Sequence, residues 1–108
     1  MNQILTYQGL GISKEKIAEF CGRWKVKEFA FFGSILRSDF GPGSDVDVLV
    51  SFAPGANWRF DDYMTMKEEL EAMFDHLVDL VERHLVEQST NYIRRKHILS
   101  NAETVYVA

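Results

Sequence analysis

The sequence holds a single cysteine, two prolines and no apolar run of membrane-spanning length. One thiol, Cys21, excludes an internal disulfide; such usage suits a reducing cytoplasm, and Cys21 is expected in the core. Residues Met1 to Leu10 lack both a basic start and a continuous apolar segment, and no later stretch approaches the ~20 residues of a spanning helix. A soluble cytoplasmic protein with no membrane contact is therefore expected. A basic excess is missing as well. With 16 acidic side chains against 12 basic ones and a formal net charge of -4, the chain is poorly suited to an electrostatic grip on long nucleic acid. No Gly-x-x-x-x-Gly-Lys-Ser/Thr occurs, which disfavours a P-loop ATPase or GTPase. His76, His84 and His97 lack metal-site spacing with one another or with Cys21 and read as surface or helix-end residues. Repeats, low-complexity tracts and linkers are absent too. What remains is 108 residues with a hydrophobic share of 46%, enough for one domain, residues 1–108, around one core.

Periodicity supplies the elements. Ser13 is a plausible N-cap, and Ile17, Phe20, Cys21 and Trp24 recur at helical spacing, predicting a helix over Ser13–Trp24. Val26–Phe32 ends in an apolar run typical of a strand entering a core and stops at Gly33-Ser34. A short helical segment, Ile35–Ser38, leads into the turn Phe40-Gly41-Pro42-Gly43-Ser44. Asp45–Phe52 is the clearest strand. After the break at Ala53–Asn57, Phe60, Tyr63, Met64, Leu70, Met73 and Phe74 fall on one side of a helix, with Asp61 and Asp62 in its first turn. Phe60 is assigned to the core, and Trp58 is left unassigned. His76–Glu82 predicts a third strand, Gln88–Ser100 a last helix with Ile93, Ile98 and Leu99 inward, and Thr104–Val107 a closing extended piece. This order describes an α/β or α+β domain with a small mixed sheet flanked by helices.

The chemistry lies in three acids and a glycine. Strand residues two apart share a face, so Asp45 and Asp47 aim at one spot with their carbons roughly 7 Å apart. Unpaired, like charges at that range oppose each other's ionisation, and a bound cation removes the conflict. Magnesium suits carboxylate and phosphate oxygens, and two such ions clamp the attacking and leaving oxygens of a phosphoryl displacement. Asp79 lies between apolar neighbours in Leu77-Val78-Asp79-Leu80-Val81 and needs a partner. If its strand lies beside that of Asp45 and Asp47, three carboxylates converge. Gly33-Ser34 offers close backbone approach and a hydroxyl, and the helical turn after it would aim free N–H groups at an anion. Arg37, one turn later, brings a fork of donors to the same phosphates. Taken singly, each feature has a plainer reading: Asp-x-Asp as solvated acid, Gly-Ser as turn chemistry, Asp79 as a core acid paired with an arginine. Order and spacing together favour the site.

Gly33-Ser34, ten residues, then Asp45-Val46-Asp47 resembles the signature of the polymerase-beta-type nucleotidyltransferases. More closely, the chain resembles the minimal nucleotidyltransferase (MNT) antitoxins that partner HEPN-domain toxins. Phe31-Phe32-Gly33-Ser34, Ser44-Asp45-Val46-Asp47-Val48-Leu49-Val50 and Val78-Asp79-Leu80-Val81 stand where that family has its strand motifs. Tyr92-Ile93-Arg94-Arg95 with Ile98-Leu99 resembles its last helix. The resemblance implies Asp45 and Asp47 as the catalytic metal-binding pair and Asp79 as third acid. It implies Gly33 and Ser34 as the triphosphate grip, with Arg37 and Ser44 beside it. It further implies magnesium, ATP as donor, and a tyrosine of a cognate HEPN toxin as acceptor of AMP. The chain would act as a homodimer or in a hetero-oligomer with that toxin. Ser38 departs from relatives that carry glycine after the arginine.

A single domain leaves no room for an acceptor-binding domain, so the acceptor is expected on a partner. Two rivals stand beside this reading. One is a binding module that silences its partner by occlusion, which needs no acid triad. The other is a subunit acting on a small hydroxylated molecule such as an aminoglycoside. Arg94-Arg95-Lys96-His97 reads as a solvated basic helix end rather than a surface for an acidic partner.

Overall fold

Along Val26–Phe32 (β3) successive side chains enter different cores: Phe29 and Phe31 pack into one apolar layer, Ala30 and Phe32 into another. That double burial is what a central strand covered on both faces requires. The structure, a computed structural model, describes residues 3–108. β3 pairs antiparallel with Val46–Phe52 (β4) on one side and with Glu103–Val107 (β6) on the other. β4 in turn pairs parallel with Val78–Glu82 (β5), giving a mixed four-stranded sheet of order β5-β4-β3-β6. Parallel neighbours need a crossover. The helix Phe60–Phe74 (α2) supplies it, burying Met66, Leu70 and Phe74.

The first layer is completed by the helix Lys14–Arg23 (α1), whose Ile17, Phe20 and Cys21 are buried. Ser13 caps it, its hydroxyl accepting from the Lys16 N–H. Two clamps join α1 to α2: the Arg23 guanidinium reaches both oxygens of Glu69 at 3.0 and 2.9 Å, and Trp24 Nε1 donates to Glu69 at 3.1 Å. The second layer is thinner. There the helices Arg83–Glu87 (α3) and Tyr92–Asn101 (α4) contribute Val86 and Ile98 against Ala30, Phe32 and Leu49.

The mixed sheet flanked by helices agrees with the sequence-based expectation, and so do the three main strands; several local features do not. Ile4–Tyr7 (β1) and Leu10–Ser13 (β2) form a hairpin that periodicity does not indicate. Its two-residue loop places Gln8 at φ 50° and Gly9 at φ 84°, the left-handed pair of a type I′ turn. The expected helix Gln88–Ser100 is α4, which starts at Tyr92 with Asn91 as its cap, and the short helix α3 before it, Arg83–Glu87, is not indicated by the periodicity. The segment expected as helical over Ile35–Ser38 is a 3-10 turn over Gly33–Leu36, and β5 begins at Val78 rather than His76. Phe60 is 75% exposed and Ile93 80% exposed, not core. Phe60 begins α2 ahead of the first buried residue of that helix, Met66, and α4 is held inward through Ile98 instead. Trp58 packs edge-on against Trp24 and donates from Nε1 to the Trp24 carbonyl at 2.9 Å.

Candidate active site

Register brings the acids together. In the parallel β4–β5 pair Asp47 stands directly opposite Asp79, and their side chains share the sheet face of Leu49, the face that α3 and α4 cover further along. Val46 and Val48, alternating with Asp47, are fully buried in the opposite layer. The start of β5 is fixed from three sides. Val46 N–H donates to Leu77 O at 2.8 Å, and Glu71 of α2 accepts from Val78 N–H at 3.0 Å. His76 Nδ1 meets Ser44 O at 2.9 Å while its ring lies 5.0 Å from that of Phe40. Asp45 sits one residue before β4 rather than within it, exposed at the cleft mouth. Asp79 is likewise exposed and not the buried acid of an ion pair.

Gly33 ends β3 at φ +74°, a conformation that L side chains rarely adopt. A Cβ there would overlap the Asp47 carboxylate, coming within 3.0 Å of its Cγ. Glycine is thus required by the acid beside it. The N–H of Ser34 donates to Asp47 rather than standing free for an anion, as the sequence alone suggests, and the Ser34 hydroxyl faces Asp45 O at 3.4 Å. Asp47 is pushed up to about 6 from an ordinary 3.8, first by burial, then by the charges of Asp79 and Asp45. The Ser34 N–H and the Arg37 charge oppose that rise without cancelling it. Arg37 is exposed and paired with Asp39 at 3.3 Å. The Ser44 hydroxyl accepts from Gly41 N–H at 3.0 Å and closes the Gly41–Ser44 turn.

These groups line one open cleft of about 530 Å³, bounded by Gly33, Ser34, Arg37, Gly43, Ser44 and all three aspartates. Helix α4 borders it too, through Arg94, His97 and Ile98. From sequence the basic run containing Arg94 reads as a solvated helix end. Only the tertiary fold turns its 94, 97, 98 face to the acids, although the i, i+3, i+4 spacing is there to be seen.

Carboxylate oxygens are donors that magnesium takes, and after burial the charges of Asp79 and Asp45 add to the rise in the Asp47 pKa. Even so, among the described residues no group of three acids or histidines is gathered closely enough to hold a metal ion unaided. Magnesium in general keeps several waters and binds through one or two carboxylates together with substrate phosphates.

Comparison with known proteins bears on this geometry. A protein of Methanocaldococcus jannaschii named "putative protein adenylyltransferase" is 34% identical over 61 residues, covering 56% of this chain and 61% of that protein. The match thus spans less than two thirds of that relative. A solved "putative minimal nucleotidyltransferase" is 26% identical, with a TM-score of 0.64 over 85% of this chain and 88% of that one. A toxin–antitoxin structure with AMP-PNP superposes at a TM-score of 0.67 and 18% identity, covering 88% of this chain and 73% of the other. The complex of a tri-AMPylated Shewanella oneidensis HEPN toxin with its MNT antitoxin gives 0.59 and 18%, over 88% and 70%. The matched chains of these two structures share the fold. With the sequence pattern of the nucleotidyltransferase domain matching residues 14–102, this chain belongs to the nucleotidyltransferase domain family.

Proposed function

We propose that this chain transfers AMP from ATP to a hydroxyl of a partner protein, the tyrosine of a HEPN-domain toxin, and so silences it. The observation that carries the reading is Asp47 standing opposite Asp79 in the cleft that Gly33, Ser34 and Asp45 complete. The protein acceptor is supported by the M. jannaschii relative named as a protein adenylyltransferase and by the AMPylated toxin of the Shewanella complex. The breadth of the cleft and the exposed Leu85, Tyr92 and Ile93 on the neighbouring helices favour a macromolecular acceptor over a small one.

In this mechanism Asp45, Asp47 and Asp79 would hold magnesium. The ions supply charge neutralisation for the attacking and leaving oxygens of an in-line displacement. Gly33, whose missing side chain leaves room for the Asp47 carboxylate, would bring the protein backbone to the phosphates, with Ser34, Ser44 and Arg37 along the rim. The acceptor oxygen bonds to the α-phosphorus as the bond to the bridging oxygen breaks. Pyrophosphate leaves, and the acceptor proton passes to a carboxylate of the cluster.

The test is intact-mass measurement of the partner after incubation with this protein, ATP and magnesium. A gain of one or more AMP units is expected. Asp45→Ala combined with Asp47→Ala should abolish it. A partner silenced by the wild-type protein with no gain in mass would replace transfer by occlusion.

A further inference from the structure

The charge balance of the cleft leaves an anionic nucleotide short of positive partners. Three aspartates line it, and Arg37 already faces Asp39 at 3.3 Å. On α4, Arg94 lines the cleft on the same helical face as His97 and Ile98. Ile98 is buried against the sheet, and Asn91 caps the helix by accepting from the Arg94 N–H at 3.1 Å. The backbone that carries Arg94 is therefore anchored at both ends of its turn. Its neighbour is differently employed: the Arg95 guanidinium donates to Ser89 O at 3.3 Å and stacks on Tyr92 at 5.4 Å. Among the described residues the Arg94 guanidinium has no hydrogen bond or ion pair, yet it borders the cleft. A guanidinium at such a place offers its planar fork to phosphate oxygens without first breaking another contact.

We infer that Arg94, on α4 and outside the glycine–serine and aspartate motifs, is a phosphate-binding residue of the nucleotide site. It adds a contact from α4 to the triphosphate grip of Gly33-Ser34. This assignment rests on the nucleotidyltransferase reading of the cleft. It also gives α4 a role in substrate binding beyond packing, and it couples nucleotide affinity to the seating of Ile98.

Binding of magnesium–ATP, measured by calorimetry on the full chain, separates the two claims. Arg94→Gln should raise the Kd roughly ten- to a hundredfold, the range of a lost charge-assisted contact. Arg94→Lys, which keeps the charge and loses the fork, should recover part of that loss. Lys96→Gln removes one positive charge from the same helix and should change the Kd by less than about threefold, the effect of a distant, screened charge. Melting temperatures of the nucleotide-free variants should match the wild type, which excludes misfolding as the cause. If the wild type binds no nucleotide, the function proposed above falls. If the wild type binds and Arg94→Gln binds equally well, Arg94 is no phosphate contact and only this inference is overturned. An unchanged Kd with weakened modification of a protein acceptor would instead assign Arg94 to that acceptor.

Discussion

Asp47 is where stability and chemistry oppose each other. Its carboxyl titrates at about 6 in the folded chain against an ordinary 3.8, so the native state holds that proton more tightly than the unfolded state does. For a raised pKa the associated stability is present in full below about pH 4 and lost as pH rises through about 6. Asp47→Asn keeps the shape and an oxygen for the Ser34 N–H while removing the charge. In the presence of a chelator it should stabilise the protein at about pH 7.5 by about 1 kcal/mol, a figure reduced for the partial exposure of the group. Thermal melts between about pH 4 and pH 8 should show the wild type losing stability across that window and the variant staying flat. Parallel profiles would contradict the assignment. Gly33 belongs to the same argument. Its missing side chain is the space that the Asp47 carboxylate fills, so the glycine of the motif is fixed by the neighbouring strand as well as by any ligand.

At the scale of elements, α4 matters most to the cleft and is the hardest to read from sequence. Ile98 is its single buried residue. Ile98→Ala should cost about 2–4 kcal/mol in urea denaturation, and it should weaken nucleotide binding by loosening Arg94 and His97. The main strands are plain in the sequence because central strands covered on both faces need unbroken apolar runs, as in Phe29–Phe32 and Val48–Val50. The Asp45–Asp47 pair and Gly33-Ser34 are plain for a related reason, since acids and a glycine that interrupt such runs at a fixed spacing weaken the core unless a ligand uses them. The hairpin β1–β2 is not, because its four-residue strands are half exposed and its turn is Gln8-Gly9 rather than a residue pair with a stronger left-handed preference. The short helix α3 and the late start of α4 are hidden too. Val86 continues the apolar pattern of the strand before it, and Ile93, although apolar, points to solvent. Whether Asp79 meets the other acids depends on strand order, which periodicity does not encode.

Taken whole, the molecule is a sheet with unequal sides. One face carries the larger core with α1, α2 and the hairpin; the other divides between a small core and the open cleft. Because the acids are arrayed on a rigid sheet but do not enclose a cation by themselves, metal and nucleotide should bind together far better than either does alone. In differential scanning fluorimetry, magnesium with ATP at about a hundred times its Kd should stabilise the wild type by ~2.7 kcal/mol. Magnesium alone should do much less, and the Asp45→Ala, Asp47→Ala, Asp79→Ala triple variant should not respond. An equal shift in the triple variant would remove the acids from the binding site.

The alternation along β4 has a consequence for how this domain tolerates insertions and deletions. Asp47 faces the cleft only because Val46 and Val48 face the core. A gain or loss of one residue within that strand would exchange the two sets, burying a carboxylate and exposing valines to water. Fold and chemistry are therefore lost in the same step, and no length variant of β4 keeps one without the other. The loop just before it is held differently, by the Gly41–Ser44 turn and the contact of His76 with Ser44 O. At Gly41 and Gly43 an added Cβ meets no atom within 4 Å, so side chains can be added there while Asp47 keeps its register with Asp79.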